Sequence, residues 1–373
     1  MTNSRKMTLA TVAAAALTAQ SHGLAAQGVD TLETRVQALE AEAAEASEGP
    51  FGLPANFEIY GYVKGDLIFD FDSDLGNTIF GLGSLTPGGA TGSNFRGHAF
   101  QSRLGFRSTT PTSYGDLTIR LEGDLFGDGG GTFRLRHAYG ALGNVLVGQT
   151  WTNFMPIESY PATVDFQGPA GIPFARLMQA RYTLPFGDDF SASVSIEDPA
   201  GTSSDPAYTA AVSYTGDRFF LKAAAIYTQV DFNGASFDGY GINLSGNAQL
   251  WEGGSVQAQY TTGEAISSYM VFGGDDVATI GGTDTAIDTS GYTFGLSQDF
   301  GEQWRAGVVY GKRENDQGNA GDTRSLETVH LNLSFMPTER ATFAVEYIDG
   351  TREIFGGGSA NASRLQTSAQ FNF

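Results

Sequence analysis

The chain has 373 residues, with 50 Gly, 27 Phe, 15 Tyr and no Cys. Its net charge of −20, from 41 acids against 21 bases, excludes a partner that needs a basic face, nucleic acid above all. The lack of Cys excludes a disulfide framework and any thiolate metal site. Beyond the N-terminus no apolar run approaches the ~18 residues of a spanning helix.

The N-terminus opens with the basic pair Arg5 and Lys6, followed by an apolar or small run from Met7 to Ala19 and small residues at Gly23, Ala25 and Ala26. This is the pattern of a cleaved secretory signal over 1–26, too short to serve as an anchor. Cleavage is expected after Ala26, with Ala25 a close alternative. Next, over 27–48, Val29, Leu32, Val36, Leu39, Ala43 and Ala46 recur at spacings of three and four, flanked by Asp30, Glu33, Arg35, Glu40, Glu42 and Glu45. The spacing predicts a short periplasmic coiled coil whose seam includes Leu32, Val36 and Leu39. Fewer than three heptads are marginal alone, so the segment gains stability by self-association, with a trimer expected. Gly49 and Pro50 end the helix, and 49–56 reads as linker.

From Phe57 to Phe373 the period becomes two. In the last strand Leu365, Thr367, Ala369, Phe371 and Phe373 share one face, and Arg364, Gln366, Ser368, Gln370 and Asn372 share the other. Earlier stretches repeat the pattern. Leu117, Ile119, Leu121 and Leu125 oppose Thr118, Arg120, Glu122 and Asp124, and Val329, Leu331, Leu333 and Phe335 oppose Thr328, His330, Asn332 and Ser334. A chain that crosses a bilayer without spanning helices has one backbone solution, the closed barrel, in which every N–H and C=O pairs with a neighbouring strand. Tight turns at 142–144, 185–189, 215–217, 251–254, 299–303 and 336–340 alternate with longer polar stretches at 72–98, 152–176, 198–205, 231–239, 263–288, 315–322 and 350–361. Short turns on one rim and long loops on the other predict an all-β transmembrane antiparallel barrel of about sixteen strands. Aromatic residues at both strand ends, such as Phe190, Phe219 and Trp304 below and Tyr227, Tyr260 and Tyr347 above, fit two interfacial girdles. A final strand ending in Phe373 resembles the signal read by the barrel assembly machinery of the outer membrane.

A barrel this wide keeps a water-filled lumen unless a loop narrows it. The loop after the fifth strand, taken as the third loop at about 152–176, carries Pro156, Pro161 and Pro169 and is expected to fold inward. Arg103, Arg107, Arg120, Arg134, Arg136, Arg176 and Arg181 all fall within strands two to six. Alternation places Arg103, Arg107, Arg120, Arg134 and Arg136 on the polar face, where a guanidinium ladder attracts carboxylates and phosphates. Glu158 and Asp165 on the loop, with Glu122 and Asp124 on the wall, would set up a transverse field. The alternative is that the arginines pair with Glu122 and Asp124 and only stiffen the wall. His137 shares its parity with Phe133, Leu135 and Tyr139 and is expected to face outward at a contact between protomers. The acids Asp70, Asp72, Asp74, Asp275 and Asp276 lack a cation-binding loop pattern and read as solvated. No Ser/His/acid constellation and no histidine-rich metal spacing is seen, which argues against an enzyme and gives no cofactor or metal.

At Arg134–Leu135–Arg136–His137–Ala138–Tyr139–Gly140, running into Val147–Gly148–Gln149–Thr150–Trp151, the chain resembles the DcaP-like porin family. Phe166–Gln167–Gly168–Pro169–Ala170–Gly171 and Ala180–Arg181–Tyr182–Thr183 are similar to it as well. The resemblance implies a trimeric outer-membrane channel, constricted by its third loop and biased toward small anionic solutes such as dicarboxylates. Arg181 joins the candidate path on that footing. A structural anchor and a barrel-scaffold enzyme with a plugged lumen stand as alternatives.

Overall fold

The computed structural model describes residues 56–373. The export signal, the coiled coil over 27–48 and nearly all of the linker expected from the sequence lie outside them. The described chain is almost entirely strand. It runs β1 (Phe57–Asp70), β2 (Asn94–His98), β3 (Arg103–Thr110), β4 (Leu117–Gly127), β5 (Thr132–Leu142), β6 (Val145–Trp151), β7 (Arg176–Phe186), β8 (Phe190–Glu197), β9 (Ala207–Thr215) and β10 (Phe219–Phe232). It continues with β11 (Ala235–Trp251), β12 (Gly254–Glu264), β13 (Val277–Ile280), β14 (Thr283–Ala286), β15 (Asp288–Phe300), β16 (Trp304–Asn315), β17 (Thr323–Thr338), β18 (Ala341–Ile354) and β19 (Ser359–Asn372).

Strands β2 and β3 are two lengths of one descending strand, since both pair with β1. The hairpin β13–β14 stands apart in an outer loop. The remaining neighbours pair antiparallel, and β19 returns to β1 with Val63 opposite Phe371 and Asp70 opposite Arg364. The result is a closed barrel of 16 strands. Closure leaves no sheet edge unpaired, which is the condition for a sheet to sit in hydrocarbon.

The pleat sorts side chains opposite to a soluble protein. Val63, Leu67, Val194, Leu221 and Leu244 are exposed on the outside, whereas Lys64, Asp66, Glu122, Asp124, Asn243 and Thr261 are buried within. Water therefore belongs inside and lipid outside. At the rim of short turns, outward aromatics meet across strands: Phe186 stacks on Phe190 at 5.6 Å, Phe190 lies tilted to Tyr214 at 5.0 Å and Trp304 to Phe335 at 4.7 Å. Near the other rim Tyr292 meets Tyr310 at 5.9 Å. These are the two interfacial girdles.

Two of the expected long loops are instead strand. Residues 231–239 continue β10 and β11 around a two-residue turn at Asn233–Gly234, whose φ values of 50° and 80° are those of a tight hairpin turn. Likewise most of 350–361 belongs to β18 and β19. Polar composition signalled a loop at both places, but strands that project beyond the membrane are wetted on both faces and need no apolar side.

Candidate functional site

The third outer loop, between β6 and β7, folds into the lumen, and buried polar groups of the wall hold it there. At its start the Glu197 carboxylate accepts from Thr152 Oγ1 at 2.5 Å and from the Asn153 N–H at 2.9 Å. Lys222 Nζ donates to the Met155 carbonyl at 2.9 Å, and Asn247 Nδ2 to that of Glu158 at 2.6 Å. Midway, Glu346 accepts the N–H groups of Val164 and Asp165 at 3.0 and 2.9 Å. Lys64 Nζ donates to the Val164 carbonyl at 2.8 Å. Further on, Thr328 Oγ1 accepts the Ala170 N–H at 3.0 Å. A loop inside a barrel has backbone groups that strands cannot satisfy, and these inward side chains satisfy them.

The loop also touches the wall through glycine. A Cβ on Gly311 would lie 2.2 Å from the Ala170 carbonyl oxygen, and one on Gly171 (φ +88°) 2.2 Å from that of Lys312. Gly311→Val is therefore expected to lift residues 168–171 from the wall. It should push the loop toward the arginine wall, reduce the single-channel current and lower stability by about 1–3 kcal/mol, the usual penalty of overpacking. Conductance and denaturant unfolding of the same preparation check both parts.

Facing the loop is the arginine wall. Glu122, 1 % exposed, receives Arg120 Nη2 at 2.6 Å, Arg136 Nε at 2.8 Å and, more distantly, Arg103 Nε at 3.4 Å. The Tyr60 hydroxyl donates to the same carboxylate at 3.0 Å. Asp124 takes Arg134 through two bonds, at 3.0 and 2.8 Å, and Arg136 Nη1 at 2.9 Å. Arg176 lies 4.6 Å from the Trp151 ring and 5.7 Å from that of Phe174, with Nη1 buried and without a hydrogen-bond partner. The wall thus gathers Arg103, Arg120, Arg134, Arg136 and Arg176 around two carboxylates. Pairing and ladder coexist, because the acids hold the arginines in place without neutralising them all. Arg134 and Arg136 also lie over the loop residue Phe166, at 5.3 and 5.7 Å.

Between wall and loop lies a cavity of about 530 Å³, bounded by Arg103, Arg120 and Arg136 on one side and by Ile157, Pro161, Ala162, Thr163 and Phe166 on the other. Asp165 also lines the loop side, where the sequence expected it, with Glu158, to oppose the arginines. Asp165 is 2 % exposed, and its carboxylate is held by Arg364 at 3.2 Å and by the Ile79 N–H at 3.0 Å. Glu158 is exposed on the loop, where its charge acts on Arg181 and Lys222. Arg181 binds Gln179 Oε1 at 2.8 Å and the Trp151 carbonyl at 2.5 Å, beside the loop's root. Arg107 drops out of the constriction: it pairs with Glu58 at 2.5 Å, both side chains about half exposed at the rim of short turns.

His137 does not face outward. The β4–β5 register shifts between Glu122 and Gly123, which lie opposite His137 and Leu135. This bulge turns both Arg136 and His137 inward, and simple alternation cannot show it. His137 is 2 % exposed, bonded to Thr150 Oγ1 at 2.9 Å and edge-on to Trp151. An inward imidazole cannot supply the protomer contact expected of it.

Sequence reasoning missed Lys64, Glu197, Lys222, Glu346 and Arg364. Each stands on the polar face of its strand, which was the available signal, but its partner lies in a loop remote in sequence.

The family model for the DcaP outer membrane protein matches residues 36–373. Among solved structures, the outer membrane channel DcaP of Acinetobacter baumannii superposes with a TM-score of 0.78 at 23% identity, covering 85% of this chain and 97% of that one. The anion-selective porin from Comamonas acidovorans gives 0.61 at 17% identity, covering 85% and 99%. OmpT, an outer membrane protein of Vibrio cholerae, gives 0.58 at 15% identity, covering 85% and 97%. No curated relative matches the chain in sequence.

Proposed function

The chain belongs to the DcaP outer membrane protein family, and from that membership we propose that it is a passive diffusion channel for small hydrophilic solutes, biased toward anions such as dicarboxylates. It is an outer-membrane porin and not an enzyme. One observation carries the bias: more arginines than carboxylates line one side of the constriction, while the acid in the opposite lining, Asp165, is buried against Arg364. Guanidinium groups offer an entering carboxylate paired, charge-assisted hydrogen bonds. The low-dielectric wall and narrow water layer strengthen their field at the point of passage. An anion is drawn in, is bound weakly by groups already tied to Glu122 and Asp124, and leaves. The anion-selective porin of like fold agrees with this reading.

We read the working unit as a homotrimer, supported by the heptad seam of Leu32, Val36 and Leu39 and by the outward apolar face of the barrel. Export through the periplasm follows from the N-terminal signal pattern. Single-channel recording of purified protein in a planar bilayer tests the unit: three coupled conductance steps are expected per insertion. Isolated single steps would contradict the trimer, and no conductance from folded protein would contradict an open channel.

A further inference from the structure

The arginines of the constriction wall are not held alike. Arg120, Arg134 and Arg136 donate to Glu122 or Asp124, and Arg103 stands 3.4 Å from Glu122. Arg176 makes no hydrogen bond and no ion pair among the described residues. Asp124, whose charge reaches it, already takes Arg134 through two bonds and Arg136 through one. Arg103, Arg134 and Arg136 act on it with like charge.

What holds Arg176 is aromatic. Its guanidinium carbon lies 4.6 Å from the Trp151 ring centre and 5.7 Å from that of Phe174. Those rings are themselves fixed. Trp151 meets Phe174 at 4.9 Å and His137 at 5.6 Å, and the Phe174 N–H donates to the Tyr269 carbonyl at 2.7 Å. Both rings line the constriction cavity. Arg176 and Trp151 pair across β6 and β7 where both strands meet the third loop, on the outer side of the constriction. A guanidinium lying over a ring uses a face for that contact and keeps its edge of N–H donors free. Nη1 is buried without a partner, and the side chain is otherwise partly open. Such a group gains more from an arriving carboxylate than one already bound to an acid.

We propose that Arg176 is the specificity-determining residue of the constriction: the carboxylate of a passing solute takes its N–H edge in a bidentate pair and dwells there longest. The acid-tied arginines bind the solute weakly and supply the field. Trp151 and Phe174 are positioning residues that hold the guanidinium plane. This role rests on the anion-biased reading above, and it adds discrimination among anions. Chloride feels the charge of Arg176 but cannot match the paired geometry of its edge.

The test is the residence time of succinate in single channels of the full-length protein. It is read from the current noise that succinate adds in potassium chloride, with the reversal potential measured on the same channels. Arg176→Met and Arg176→Lys should each shorten the residence roughly ten-fold, since neither side chain carries the guanidinium fork. Arg176→Lys keeps the charge, so its reversal potential should keep the sign set by chloride. Heat-modifiable gel mobility confirms that each variant is folded. Residence unchanged in either folded variant, or no succinate noise in the unaltered channel, would overturn the role of Arg176. Unaltered channels that prefer cations, with residence still shortened in Arg176→Lys, would instead overturn the anion-biased constriction and leave Arg176 as its carboxylate-binding residue.

Discussion

Arg364→Ala is expected to destabilise the barrel by about 3–5 kcal/mol and to free the third loop. Arg364 is fully buried and binds Asp70 at 2.6 and 3.1 Å, Asp165 at 3.2 Å and the Gly76 carbonyl at 2.7 Å. One guanidinium thus ties together β1, β19, the first outer loop and the inward loop. The ion group adds modestly over an apolar core of equal shape, but removing one member strands two carboxylates in a dry site, which carries the full penalty. The deficit should shrink at low pH, where the Asp165 carboxyl, held by burial above the ordinary range, can take up a proton. Denaturant unfolding in detergent measures the stability change, and single-channel noise reports the loop. A variant with an unchanged midpoint and quiet open current would refute the role given to Arg364.

The second large effect concerns selectivity. Replacing Arg103, Arg134 and Arg136 with Ala leaves Glu122 paired mainly with Arg120 and leaves Asp124 without its two arginines. The wall then carries two guanidinium groups, Arg120 and Arg176, against Glu122 and Asp124, and its surplus of positive charge is gone. In a salt gradient the reversal potential should move toward cation preference, most strongly at low ionic strength, where charges on the wall are least screened. A reversal potential equal to that of the unaltered protein would mean that the ladder is structural only.

Much of the barrel was legible because a transmembrane strand writes its environment on alternate residues. Leu365 and Phe371 against Arg364 and Gln366 placed the last strand, and the short turns fell where the sequence put them. What alternation could not show is any departure from period two. The bulge at Glu122–Gly123 reversed the facing of His137, and the Asn233–Gly234 hairpin was hidden in a polar stretch. The arginines of the wall were visible as a cluster within strands two to six. The fate of Asp165 was not, since its partner Arg364 is 199 residues away. Nor could composition separate Arg107, which sits at the rim with Glu58, from Arg103, two repeats of the pleat deeper. Distance along the barrel axis depends on register, and register was unknown.

The central claim is that an arginine-rich wall, facing a loop whose lining acid Asp165 is tied to Arg364, makes this barrel an anion-preferring channel. It is tested most directly by the zero-current potential of the unaltered protein in a planar bilayer under a potassium chloride gradient. A potential of the sign set by chloride permeation is the predicted result. A potential of the sign set by potassium permeation, from channels that are open and folded, would contradict the account.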